Sequence, residues 1–458
     1  ILAPRPQPRQ TRFTVRLPHS REAVPAADRA CFEALEPRRL LSTDPGTVLT
    51  AGDRLELLAN WTCSDPVVQQ ALVSALAGGQ LTDFDQDLLD YMQMRSGPEF
   101  FFAADNVDAY SDYITANFAT QVQQIIEHAN DILAHRFPET TSSADYTVQL
   151  PAGEFSWRTQ PGTTSNEDFL YTLNWQAFWP ELAMASGFTD QPQYGQELIA
   201  QLAGWSSQNP PPADPDDLQG PDAKVWSVLT TSVRTDSWAW SYHLLLEAAD
   251  WTPQANTLFL HRMWQHGQYL SAVIPDEPLT NQDVLQGRAI LETGLLFPEF
   301  GQAAQWEAAG RQLLFDAVDT QIYDDGGHIE QSPGYAGVAL CGFLESWLLD
   351  TLNGNSWSAD GQDRRQHLWD LADYYYQMME PDGMQPGISD CGRTTALVTL
   401  TESALILDES SWPSNRVKVR HVWLVGPDAA SEALANPRMA IENRPDRKST
   451  RLNSSHYS

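Results

Sequence analysis

The chain reads as a mainly α-helical protein, an α/α toroid of helical hairpins. Apolar residues recur at helical spacing in segment after segment, connections rich in Gly, Pro or Asp separate those segments, and few stretches alternate like strands. Helical hairpins in such number curl into a solenoid or a toroid, and the lack of a visible repeat favours the toroid.

The first strong helix is predicted over 113–133, where Ile114, Phe118, Val122, Ile125 and Ile126 share a face. Further helices are predicted at 170–185, 193–205, 237–249, 255–269, 284–296, 303–318, 338–349 and 365–379. The run 209–222, Asn-Pro-Pro-Pro-Ala-Asp-Pro-Asp-Asp-Leu-Gln-Gly-Pro-Asp, reads as a stiff polar loop. The best strand candidates are 146–150 and 417–425.

The formal charge is -32 over 458 residues, unevenly spread. Residues 1–43 carry a net +4 and 446–458 a net +2, which leaves -38 for 44–445. Such a surface repels nucleic acid and makes it an improbable partner. An acidic polysaccharide would need a locally basic or neutral cleft. No apolar run reaches the ~18 residues of a membrane span. The four cysteines, Cys31, Cys63, Cys341 and Cys391, match no metal knuckle or disulfide framework. Nothing in the sequence calls for a cofactor or a metal.

Residues 1–43 are Arg- and Pro-rich and read as a leader or disordered arm. Within them Leu35-Glu36-Pro37-Arg38-Arg39-Leu40-Leu41-Ser42 resembles the LEPRxLLS box of certain bacterial exported proteins, which implies a secreted or periplasmic location. Residues 44–124 read as an N-terminal helical region, 125–430 as the toroid, and 431–445 as the start of a linker. The tail 446–458 resembles the translation of a sequencing-library adapter, which implies a truncated reading frame.

All but one of the sixteen Trp lie between 157 and 423. Indole faces stack on sugar rings, so a carbohydrate cleft is one reading of them; a large helical core is the other.

The chemistry concentrates between 280 and 335. Thr280-Asn281-Gln282-Asp283 opens a helical run on which Val284, Leu291 and Leu295 share a face. Thr280 or Asn281 suits an N-cap, and Asp283 suits the first turn. An amide there can equally donate to an anionic ligand. Downstream, Tyr323-Asp324-Asp325-Gly326-Gly327-His328-Ile329-Glu330-Gln331-Ser332-Pro333-Gly334-Tyr335 is a glycine turn carrying His328, Glu330 and Tyr335 into the next helix.

These motifs, with Phe297-Pro298-Glu299-Phe300 and Trp306 between them, resemble the heparinase II/III family of polysaccharide lyases. Phe155-Ser156-Trp157, Leu173-Asn174-Trp175, Thr231 through Trp238, and Pro381 through Asp390 extend the resemblance over roughly 125–430. It implies an incomplete α/α toroid followed by an antiparallel β-sheet domain. It also implies β-elimination on a uronic-acid-containing polysaccharide. In that reading Asn281 contacts the uronate carboxylate and Tyr335 acts as acid, and often as base. Arg234 would clamp substrate and Trp238 and Gln282 would line the cleft. His328 and Glu330 would support it, although His328 suits a structural place equally. Gln282 and Ala336 depart from the pattern, which often has His or Trp, and His, at these positions. The family's sheet domain usually brings a catalytic histidine. Only His421 and His456 follow residue 390, so that domain is expected to be largely missing and the fragment inactive alone.

Two other classes are open. A hydrolase on an α/α scaffold would need paired carboxylic acids, for which Asp324, Asp325 and Glu330 are candidates. A non-catalytic carbohydrate-binding protein would keep the toroid without the chemistry.

Overall fold

The computed structural model describes residues 44–140, 145–164, 166, 168–358 and 361–435. The expected leader at 1–43 and the adapter-like tail at 446–458 lie outside the described residues.

The chain begins with α1 (Pro45–Val48), α2 (Ala51–Ala59), α3 (Pro66–Ala77) and α4 (Leu81–Met94). Next come α5 (Val107–Asn117) and α6 (Ala119–Leu133), then a small hairpin of β1 (Arg136–Pro138) and β2 (Tyr146–Gln149). Helical hairpins follow: α7 (Phe169–Trp175), α8 (Trp179–Thr189), α9 (Gln193–Gln208), α10 (Asp222–Val225), α11 (Val228–Leu245) and α12 (Pro253–Ala272). They continue through α13 (Asn281–Leu296), α14 (Ala303–Gln321), α15 (Pro333–Leu352) and α16 (Arg364–Met378). A two-residue ladder of β3 (Met384–Gln385) with β4 (Thr394–Thr395) precedes α17 (Leu397–Leu407) and α18 (Val419–Ala435).

The helices form two layers. One row runs α6, α8, α11, α13, α15, α17, each packed on the next; α9, α12, α14 and α16 back it. The row curves round because α18 returns to α5. There the Tyr110 and Trp423 rings stack at 5.3 Å and the Tyr113 and Ser431 hydroxyls meet at 2.6 Å. This is the predicted toroid.

The closest approach is between α13 and α14, and glycine makes it possible. A Cβ at Gly310 would lie 2.4 Å from the Leu291 nitrogen and 2.7 Å from the Gly287 oxygen. Those are backbone atoms of α13 and cannot swing aside. Gly310→Ala is therefore expected to lower unfolding stability by about 1–3 kcal/mol, readable as a lower urea midpoint with unchanged slope.

Three expectations need correction. The helix predicted at 113–133 is two helices, because Phe118 (φ -128°, ψ 35°) leaves helical geometry while its buried ring keeps the apolar spacing continuous. The strand predicted at 417–425 is the start of α18. Its β-branched residues suit a strand locally, but Val419, Val422 and Trp423 are buried at helical spacing, and packing overrides propensity. That helix also runs through 431–435, where a linker was expected. The proposed boundary at 125 falls inside α6, and α2 and α4 pack on α12, so no linker separates the N-terminal helices from the toroid.

Candidate functional site

The site is built where the N-termini of α13 and α15 meet. Thr280 and Asp283 open α13: the Asp283 carboxylate accepts from the Thr280 amide and hydroxyl at 2.8 Å each. Capping is thus done without Asn281. The Asn281 side chain instead donates from Nδ2 to both oxygens of Glu330, at 3.1 and 2.9 Å, and its backbone N–H donates to Glu330 Oε2 at 2.9 Å. A carboxylate on the first amide of a 16-residue helix is also favoured by the helix dipole.

Glu330 is delivered there by the glycine turn. Gly326 adopts φ +84°, and a Cβ on it would meet the Asp370 carbonyl oxygen at 2.3 Å. The Asp325 carboxylate accepts from the Gly327 amide at 3.0 Å, capping its own turn. That turn folds His328 inward. Gln321 Nε2 donates to the Pro278 and Thr280 carbonyls, so its Oε1 faces His328 Nε2 at 3.0 Å and requires the proton on that nitrogen. Nδ1 is then free to accept the Glu330 amide at 3.4 Å. Burial pushes the His328 pKa down, which keeps the ring neutral. His328 and Gln321 together fasten the 278–281 segment to the 328–330 loop.

Tyr335 lies in the first turn of α15, half-buried, and its phenol donates to Asp390 at 3.3 Å. Gly334 faces Cys391: its amide donates to Cys391 Sγ at 3.3 Å, and a Cβ there would fall 2.8 Å from the Cys391 Cβ. The phenol's pKa is raised, first by burial and then by the Asp390 and Glu330 carboxylates. Tyr335 therefore keeps its proton and is set up as an acid. Ala336 is buried and adds no titratable group.

Two predicted site residues are core. Arg234 is fully buried; its guanidinium donates to His266, the Asn174 and Val225 carbonyls and Thr231, and lies 4.4 Å over the Trp205 ring. Burial lowers its pKa to about 9. As a substrate clamp it is ruled out by this position, since its nitrogens are occupied and no surface reaches it. Trp238 is likewise buried, stacked on Trp179 at 5.1 Å, with its indole N–H on Gln176. Most Trp are core; Trp175, Trp347 and Trp369 are the partly exposed ones. Gln282 is exposed, on the rim of a cavity of about 450 Å³ that Trp175 also lines. A larger cavity of about 1070 Å³ lies beside Tyr91, Arg95 and Glu299 and contains none of the site residues.

Sequence reasoning missed Gln321, Asp390 and Cys391 as parts of this cluster. The Pro381-to-Asp390 motif was visible, but its return to Tyr335 across 55 positions is a property of the fold.

Fold and site together define a helical toroid with an amide and a phenol gathered at adjoining helix starts. The chain matches the family described as Heparinase II/III N-terminus over residues 69–411, and it belongs to that family. A heparin-sulfate lyase of Pedobacter heparinus is 25% identical over 278 residues, covering 60% of this chain and 39% of that protein. A heparin-sulfate lyase of Bacteroides thetaiotaomicron is 28% identical over 208 residues, covering 45% and 28%. The chain therefore spans well under two thirds of either relative. Among solved structures, a heparinase III superposes with a TM-score of 0.59 at 18% identity, covering 85% of this chain and 57% of that one. The heparan sulfate lyase of Pedobacter heparinus gives 0.56 at 19%, covering 84% and 56%. These superpositions establish the toroid. Among the described residues no helix is long and apolar enough to cross a membrane.

Proposed function

We propose that this chain carries the Asn281–Tyr335 wall of a polysaccharide lyase that cleaves a uronic-acid-containing polysaccharide by β-elimination. The observation that carries the reading is the gathering of Asn281, Glu330 and Tyr335 at the starts of α13 and α15. The C5 proton of a uronate is weakly acidic while its carboxylate is charged. An amide donor at a helix start stabilises the charge that grows there as the C5–H bond breaks. Glu330 holds the Asn281 amide by one face, and a primary amide has a second N–H to offer the substrate. The C5 electron pair forms the C4–C5 double bond, the C4–O bond breaks, and Tyr335 protonates the departing oxygen. Among the described residues no cation stands against the Tyr335 phenol, which supports the acid role over the base role. The hydrolase alternative lacks its acid pair here, because Asp325 caps its own turn and Asp324 is on an exposed bend. We further read the protein as exported from a bacterium, on the LEPRxLLS-like box and its bacterial relatives.

Asn281→Ala is expected to lower kcat on a uronan by roughly 10²–10³-fold with unchanged melting temperature. A loss of thermal stability with normal kcat would return Asn281 to a purely structural place. The product separates the classes, since only elimination leaves an unsaturated, ultraviolet-absorbing uronate.

A further inference from the structure

The cavity beside Gln282 has no part in the chemistry above. It opens between the end of α7, the start of α11 and the start of α13, and its walls include Asp168, Tyr171, Trp175, Ser227 and Gln282. Its volume of about 450 Å³ falls within the ~300–1,000 Å³ of small-ligand sites. Two of its polar groups lack partners among the described residues. The Trp175 indole N–H is buried without a hydrogen bond, and the exposed Gln282 amide makes none. Two aromatic side chains, a free amide, an indole donor and one carboxylate are the groups that bind a sugar by ring stacking and hydroxyl hydrogen bonds.

The charge is equally telling. No Lys or Arg lines the cavity. The nearby cation is Lys224, stacked over the Tyr171 ring at 5.1 Å, and Arg158 is paired with Asp222 at 2.8 Å. Positions 141–144, 165 and 167, neighbours in sequence, are Thr, Ser, Ser, Ala, Ser and Glu, so they bring no cation. A sulfate group is a permanent anion that binds through Arg or Lys, and desolvating it beside Asp168 is unfavourable.

We propose that this cavity is a sugar subsite adjoining Asn281 and that it takes an unsulfated sugar residue. This rests on the lyase reading and narrows its substrate to unsulfated or sparsely sulfated uronans.

The test is calorimetric binding of two tetrasaccharides to the purified chain: heparosan, which is unsulfated, and heparin, which has a similar backbone bearing sulfates. Heparosan is expected to bind at least about tenfold more tightly at low salt. Trp175→Ala and Gln282→Ala are each expected to weaken it by roughly three- to tenfold, with unchanged melting temperature. Gln282→Lys is expected to narrow the gap between the two probes. Equal or tighter binding of heparin, no binding of either probe, or indifference to both alanine substitutions would overturn the subsite. Uncharged cellotetraose binding as well as heparosan would instead count against the uronan reading, which keeps the two failures apart.

Discussion

Tyr335→Phe is expected to lower kcat on a uronan by on the order of 10³-fold while leaving the melting temperature unchanged. The phenol is half-buried and its only hydrogen bond within the described residues is the 3.3 Å contact to Asp390, so losing the hydroxyl removes little packing. What it removes is the proton for the departing oxygen. Burial and two carboxylates hold that proton on the phenol through the neutral range. Asp390→Asn is a companion test, in which one of those carboxylates is lost and the phenol's pKa falls. The alkaline limb of the kcat profile should then move to lower pH, a change that a merely structural Asp390 would not produce.

Arg288→Met is expected to destabilise the fold by about 3–5 kcal/mol, the largest stability loss predicted for a single side chain here. Arg288 lies under the first half of α13 and serves three carboxylates. It pairs with Glu292 at 2.7 Å, Glu345 at 2.8 Å and Asp236. Arg288, Glu292 and Glu345 are buried, whereas Asp236 and Arg420 reach partly into solvent. Arg420 adds a second cation on Glu345 at 2.5 Å. Methionine would fill the volume but leave buried carboxylates without their counter-charge. Thermal and urea unfolding would read the loss, and a change below about 1 kcal/mol would show the network to be marginal.

The same network fixes a pH dependence. Burial raises Glu292 to about 7 and Glu402 to about 8, the second helped by the Glu345 charge. Both are raised above the ordinary glutamate value, so the folded state holds protons that the unfolded state has released. Their contribution is complete below the ordinary value of 4.5 and is lost as pH rises through about 7 and about 8. Burial lowers His421 to about 4, so its contribution runs the other way and is lost on acidification from 6.5 towards 4. Glu402→Gln is expected to flatten the fall in melting temperature between about pH 5 and 8; an unchanged slope would contradict the raised value.

The helices were legible because each buries one face, and a 3.6-residue period survives in sequence. Phe118 shows where that signal fails: one residue can leave the helix without disturbing the apolar spacing. Val417 to Val425 fails for another reason, since β-branched residues there pack at helical intervals against other helices. The Asn281–Tyr335 pair was readable from motifs, but Glu330 holding Asn281 was not, because it depends on how a glycine turn meets a helix 49 positions away. Arg234 misled because a conspicuous cation beside aromatic residues suits a cleft and a core equally. Only burial decides between them.

The most direct test of the central claim is mass spectrometry of the products released from an unsulfated uronan by the protein carrying this chain, with Tyr335→Phe in parallel. Elimination predicts new chain ends one water lighter than hydrolysis would leave, ultraviolet-absorbing, and nearly absent with the variant. Products of full hydrolytic mass, or unsaturated products released equally well by Tyr335→Phe, would contradict it.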